Sequence, residues 1–270
     1  MMLVIFTDLD GSLLNHEDYS YKDALPSLNR IKKLKIPLIF TSSKTRIEIE
    51  LLQKEIGINE PFIVENGAAV FFPENYRNFR LDLPKYNGYR TLILGRDYSY
   101  IRQFINKVKK EIPIRGFGDM SIEEIAKLTD LPVEKAKYSK IREFTEPFIL
   151  EDISKLPLLE KKAEEYGLKI TKGGRFYHLI GKDQDKGKAV KLTADIFRKN
   201  IGSIKTVGIG DSKNDIPMLQ VVDIPVLIPK INKEYEKTNI KGIIRASYPG
   251  SKGWNEVVWR LIDEFEKAKY

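Results

Sequence analysis

The sequence predicts an α/β fold, a parallel-sheet core interrupted by a smaller α+β insert. Apolar strand-like runs alternate with helix-periodic segments through residues 1–83. The alternation lapses over residues 84–182 and resumes through residues 183–270. At 270 residues the chain suits one large domain or two modest ones. Strands separated by helices imply right-handed crossovers and hence parallel pairing.

The first strand is Leu3–Thr7, an unbroken apolar run closed by Asp8-Leu9-Asp10-Gly11. Leu25, Leu28, Ile31 and Leu34 recur at helical spacing, so Lys22–Leu34 reads as a helix. Pro37–Thr41 is a second strand. Thr45 and Glu48 are spaced as a capping box opening a helix to Glu55. Phe62–Glu65 and Ala68–Phe72 are strand-like around a turn at Gly67. Pro84-Lys85-Tyr86-Asn87-Gly88 reads as a linker into the insert. Within the insert, Thr91–Leu94, Glu143–Leu150, Leu168–Thr171 and Arg175–Ile180 are strand-like. Tyr98–Lys110, a helix opened by Ser121 and Glu124, and Leu156–Tyr166 are helical, and Gly173-Gly174 marks a hairpin. The core then continues with helix Lys186–Asn200, strand Lys205–Gly210, short helix Ser212–Gln220, strands Asp223–Ile228 and Gly242–Arg245, and helix Lys252–Lys267.

Composition narrows the function classes. Hydrophobic residues at 42% and charged residues at 31% fit a folded globular chain. No apolar run approaches the ~18 residues that would cross a membrane. Met1 leads into a strand without a basic n-region, so no signal peptide and a cytoplasmic location are expected. With no cysteine, disulfides, thiolate metal sites and a cysteine nucleophile are excluded. Two histidines, His16 and His178, make a histidine-rich zinc site unexpected. The Lys, Glu and Ile content without Cys resembles that of heat-adapted proteins. The net charge of +8 can attract anions, but the basic residues are interleaved with Glu, as in Lys161–Glu165. No basic arm or RNA-binding aromatic motif is present, so the expected partner is a small anion, not nucleic acid or membrane.

Four polar elements lie beside core strands: Asp8-x-Asp10-Gly11, Thr41-Ser42-Ser43-Lys44, Lys186-Gly187-Lys188, and Gly210-Asp211-Ser212-Lys213-Asn214-Asp215. In an open parallel sheet the carboxyl ends of the strands form the ligand site, so the four would converge. Each alone has a plain structural use: a turn, a helix cap or a solvated lysine. Their co-occurrence is what points to a site. Mg²⁺ takes hard oxygen ligands from one or two carboxylates and a phosphate, and Asp8 and Asp211 can supply the carboxylates. Asp8 can attack phosphorus, and Asp10 can pass a proton to the leaving oxygen and take one from water. Ser42 can donate to the transferring phosphoryl group and Lys186 can neutralise its charge. Asp215 can orient Lys186 or complete the metal's outer shell. Gly208-Ile209-Gly210 lacks the third glycine of a dinucleotide fingerprint, and no Walker-type loop occurs.

These motifs resemble those of the haloacid dehalogenase superfamily. The resemblance implies a Rossmann-like core, residues 1–83 and 183–270, and a type 2 cap, residues 84–182. It also implies Mg²⁺ dependence, with Asp8 as nucleophile, Asp10 as acid and base, and a metal held by Asp8, the Asp10 carbonyl and Asp211. Ser42-Ser43-Lys44-Thr45-Arg46, Glu65-Asn66-Gly67-Ala68, Glu146-Pro147-Phe148 and Gly173–Leu179 resemble the mannosyl-3-phosphoglycerate phosphatase branch. Related sugar phosphatases often carry Thr-Gly-Arg where this chain has Ser42-Ser43-Lys44. The implied reaction releases phosphate and mannosylglycerate, with Ser43, Lys44, Asn66, Arg175 and His178 as expected substrate contacts. Lys44 and Arg175 would meet the substrate's two anionic groups, and His178 a hydroxyl. A phosphomutase of the same superfamily, a phospho-accepting signalling domain and a non-catalytic phosphosugar-binding protein are the rivals.

Overall fold

The computed structural model describes residues 1–173 and 175–267. Gly174, half of the expected Gly173-Gly174 hairpin turn, lies outside them.

In chain order the strands and helices are β1 (Met2–Thr7), α1 (Leu25–Leu34), β2 (Leu38–Thr41), α2 (Arg46–Ile56), β3 (Phe62–Val64), β4 (Ala69–Pro73), β5 (Lys85–Tyr86) and β6 (Tyr89–Ile93). There follow α3 (Tyr98–Val108), β7 (Ile114–Gly116), α4 (Ile122–Thr129), α5 (Val133–Lys140), β8 (Glu146–Leu150), α6 (Leu156–Glu165), β9 (Leu168–Lys172) and β10 (Tyr177–Gly181). The chain closes with α7 (Lys186–Ile201), β11 (Ile204–Gly210), α8 (Ile216–Leu219), β12 (Ile224–Leu227), β13 (Ile244–Arg245) and α9 (Gly250–Lys267).

The larger sheet runs β13-β12-β11-β1-β2-β3-β4-β6-β5. From β13 to β3 the pairing is parallel; β4, β6 and β5 extend it antiparallel. The chain winds outward from β1 in both directions, which puts β1 between β2 and β11. Side chains alternate across this sheet, and both faces are buried. Leu3, Ile5, Leu38 and Phe40 pack on one side with Trp254 and Val257 of α9. Val4, Phe6 and Ile39 pack on the other with Val190 and Phe197 of α7. Burial on both faces explains why these strands read as continuous apolar runs.

The smaller sheet, β7-β8-β10-β9, is antiparallel. Its core includes Ile101, Phe104, Phe148, Leu159 and Leu179. The expected linker at residues 84–88 is instead a hairpin. Lys85–Tyr86 pairs with Tyr89–Ile93 through a turn at Asn87 and Gly88, both at positive φ. β6 then pairs with β4, so Thr91–Leu94 joins the large sheet rather than the insert. The driving contacts are aromatic: Tyr89 meets Phe62 and Phe71 edge-on at centroid distances of 5.4 and 5.5 Å. Among the described residues no helix is long and apolar enough to cross a membrane.

Candidate active site

The carboxyl ends of β1, β2 and β11 open onto a cavity of about 1170 Å³, roofed by residues of the smaller unit. Asp8 leaves β1 at this edge. Its N–H donates to Ile209 O at 2.8 Å, continuing the parallel ladder. The preceding Thr7 hydroxyl donates to Asp8 O at 2.8 Å and accepts from Trp254 Nε1 at 2.9 Å. Helix α9 therefore holds the backbone that presents Asp8.

Lys186, the first residue of α7, is 1% exposed. Its Nζ donates to Asp8 Oδ1 at 2.5 Å and to Asp215 Oδ1 at 2.6 Å. Asp215 Oδ2 accepts from the N–H groups of Asp211 and Ser212 at 3.1 and 3.0 Å. Both oxygens of Asp215 are thus committed, so it suits the orienting role better than direct metal ligation. One oxygen each from Asp8, Asp211 and Asp215 lies within 4.8 Å of the others, a grouping that can hold a metal ion. The atoms left open belong to Asp8 and Asp211: Asp211 Oδ1 is buried without a hydrogen-bond partner among the described residues. That orphaned oxygen and the all-oxygen donor set fit a hard divalent cation such as Mg²⁺. Gly11 makes room for it. At φ +85° its backbone suits glycine, and a Cβ there would sit 2.6 Å from Asp211 Oδ2.

The electrostatics follow from crowding three buried carboxylates around one cation. Burial, then Asp215, raise Asp8 to about 7 against the pull of Lys186. Burial and the neighbouring carboxylates also raise Asp211 well above the usual range. Burial alone would lower Lys186, but Asp215 and Asp8 hold it above an ordinary lysine. A bound divalent cation would favour the ionised carboxylates and reverse their shift.

Asp10 lies at the cavity with its side chain 34% exposed, and its Oδ1 is 3.0 Å from Lys44 Nζ. Lys44 is also 3.8 Å from Glu48 and lies over the Tyr19 ring. Ser43 and Lys44 line the cavity. Ser42 is 1% exposed and its Oγ accepts from Lys44 N at 3.2 Å. Asn66 is buried at φ +62°, its Oδ1 accepting from Asn214 Nδ2 at 2.9 Å while its own Nδ2 has no partner among the described residues. Arg175 and His178 line the cavity from the smaller unit. Arg175, expected to meet a substrate anion, pairs with Asp130 at 2.6 Å.

Three contributors escape sequence reading. Glu65, fully buried at φ +48°, accepts from the N–H groups of Glu143, Phe144 and Thr145 and from the Thr145 hydroxyl, at 2.7–3.2 Å. It ties the core to the segment leading into β8. Arg142, in that segment, lines the cavity. Tyr19 donates to Thr129 O at 2.8 Å, a second tie between the two units. Glu65 lies in a motif that carries the resemblance, but with no role attached to it. Arg142 sits among Lys140, Glu143 and other charges that look like solvated surface.

A family model described as haloacid dehalogenase-like hydrolase matches residues 5–237. The glucosyl-3-phosphoglycerate/mannosyl-3-phosphoglycerate phosphatase of Persephonella marina is 62% identical, over 98% of this chain and 99% of its own. The mannosyl-3-phosphoglycerate phosphatase of Pyrococcus furiosus is 36% identical over 91% of this chain and 99% of its own. The crystal structure of Thermoplasma acidophilum 0175 superposes with a TM-score of 0.70 at 21% identity, covering 96% of this chain and 98% of that one. That last likeness concerns the fold alone. The matched span includes all four polar elements and runs through both sheets, and on that ground the chain belongs to the haloacid dehalogenase-like hydrolase family.

Proposed function

We propose that this protein is a phosphatase that hydrolyses glycosyl-3-phosphoglycerates, mannosyl-3-phosphoglycerate foremost, to the glycosylglycerate and phosphate. The observation that carries the reading is the Asp8–Lys186–Asp215 chain beside the orphaned Asp211 oxygen, at the open end of the central strand. Two relatives named for this substrate class along nearly their whole lengths support it. The double name of the Persephonella marina relative favours acceptance of the glucosyl epimer as well.

In this reading an Asp8 carboxylate oxygen attacks phosphorus and the ester P–O bond breaks. Asp10 gives its proton to the departing glycerate oxygen. Water then attacks the Asp8 phosphate, Asp10 takes a proton from it, and the P–O bond to Asp8 breaks to release phosphate. Lys186 keeps a positive charge beside Asp8 throughout, and Asp215 fixes its position. Asp8, Asp211 and the Asp10 main-chain carbonyl would hold Mg²⁺. When bound, the ion supplies charge neutralisation between carboxylate and phosphate. Ser42 and Ser43 act on the phosphoryl oxygens from the end of β2. Phe117 and Phe176, edge-on at 5.0 Å, form an apolar cavity wall suited to a sugar face.

A phosphate-release screen with Mg²⁺, over mannosyl- and glucosyl-3-phosphoglycerate, free hexose phosphates and 3-phosphoglycerate, tests the proposal. Preferred release from the glycosyl phosphoglycerates is expected. Isomerised sugar phosphate without free phosphate would favour a mutase instead.

A further inference from the structure

The substrate of the proposed reaction carries two anionic groups. Phosphate is on C3 of the glycerate, carboxylate on C1 and the sugar on C2. The first has its receiving groups around Asp8. The second needs a cation that is dry, fixed and has an N–H edge left open toward the cavity. Lys44 lies between Asp10 and Glu48, and Arg175 is paired with Asp130. Lys44 is shared by two carboxylates, and the Arg175 side chain, 29% exposed, is not dry.

Arg142 meets the requirement. It is 8% exposed yet lines the cavity. Its Nη2 donates to Ser43 O at 2.9 Å and to Thr145 Oγ1 at 2.6 Å. Its Nε lies 3.2 Å from Glu65 Oε2. Nη1 makes none of these bonds, so one N–H edge of a clamped guanidinium remains available. The Glu65 carboxylate is held by three backbone N–H groups and a hydroxyl, so it cannot swing to cover that edge. The contact with Ser43 O puts Arg142 beside the residue that precedes Lys44, itself 3.0 Å from Asp10. Asp8 and Arg142 line the same cavity, so phosphorus at the first and a carboxylate at the second would share one site.

His178 stands on the same cavity, 6% exposed, with a buried Nδ1 that has no partner among the described residues. Burial, Arg142 and Lys186 push it down to about 3. It is therefore a neutral ring, able to bond a hydroxyl without competing for the anion.

We propose that Arg142 is the specificity-determining residue that receives the substrate carboxylate, with His178 bonding a neighbouring sugar hydroxyl. This rests on the glycosyl phosphoglycerate reading and adds the group that selects for glycerate over glycerol.

The test compares kcat/KM on mannosyl-3-phosphoglycerate with that on the matched mannosylglycerol phosphate, in which CH₂OH replaces the carboxylate. The Mg²⁺-loaded wild type, Arg142→Met, Arg142→Lys and Arg175→Met are assayed. A charge-assisted contact predicts that the wild type favours the carboxylate by about 10–150-fold. Arg142→Met is expected to lose that factor on the carboxylate substrate, chiefly in KM, and to change little on the analogue. Arg142→Lys keeps the charge without the fork and falls between. Arg175→Met keeps the preference. An equal fall on both substrates with the preference intact assigns Arg142 a structural role and overturns the inference. So does collapse of the preference in Arg175→Met alone. If Arg142→Met does not fold, a wild type without carboxylate preference still overturns it. A wild type inactive on both compounds overturns the parent reading instead.

Discussion

Replacing Lys186 by Met removes the one cation between Asp8 and Asp215 while keeping a side chain of similar length. The lysine is 1% exposed and bonds the two carboxylates at 2.5 and 2.6 Å. Similar volume leaves little cavity cost, so the electrostatic loss dominates. Removing one partner of a buried ion pair costs about 3–5 kcal/mol, because the remaining charge is left buried and unpaired. For a chain of this size, about 2–4 °C of Tm accompanies each kcal/mol, so the metal-free variant melts roughly 6–20 °C lower at neutral pH. Adding Asp215→Asn removes one orphaned carboxylate, and the double variant should recover much of that loss. Calorimetry in chelator, on wild type, both single variants and the double, gives the coupling directly. In the same proteins, with Mg²⁺ restored, phosphate release by Lys186→Met should drop about 10²–10³-fold in kcat. A Lys186→Met protein melting within experimental error of wild type, with additive single effects, would refute the view that these three side chains form one charge-balanced unit.

Further outcomes follow from the same geometry. Asp8→Asn abolishes phosphate release while the folded state persists; full activity would sink the covalent mechanism. Gly11→Ala places a Cβ 2.6 Å from Asp211 Oδ2 at φ +85°, so Mg²⁺ affinity measured by calorimetric titration should weaken at least tenfold. His178 titrates near 3 when folded, against 6.5 for an ordinary histidine, so between those pH values the unfolded chain binds a proton that the folded one refuses. Its contribution to stability is therefore intact above about 6.5 and lost progressively as pH falls. The Tm of His178→Asn relative to wild type should accordingly rise from pH 7 to pH 4, and a pH-independent difference would contradict the burial argument. Glu65→Ala leaves the N–H groups of Glu143, Phe144 and Thr145 unpaired; protease cleavage between residues 140 and 146 should accelerate, as followed by mass spectrometry.

The parallel core was readable because β1 and β2 are buried on both faces and so are almost wholly apolar, each closing on a threonine. The capping boxes at Thr45–Glu48 and Ser121–Glu124 were readable because they are local, and both are present. The hairpin of β5 and β6 was not. Its Pro84–Gly88 stretch carries turn chemistry that serves a linker equally well, and only the packing of Tyr89 on Phe62 and Phe71 decides between them. Helix α5 was also missed. Ala136 and Ser139 are its buried residues, which leaves no apolar stripe to detect. In the site, the acidic residues and Lys186 stood out because each follows a strand or opens a helix. Arg142 did not, because its meaning comes from Glu65 and Ser43, far away in sequence and joined to it only by folding.

Rapid acid quench of the Mg²⁺-loaded enzyme during turnover of mannosyl-3-phosphoglycerate, followed by peptide mass spectrometry, bears most directly on the reaction proposed for Asp8. One phosphoryl group on the peptide containing Asp8, formed and lost at rates that sustain turnover, is the predicted result. Turnover with no phosphoryl group on Asp8, or with the label on another residue, would contradict it.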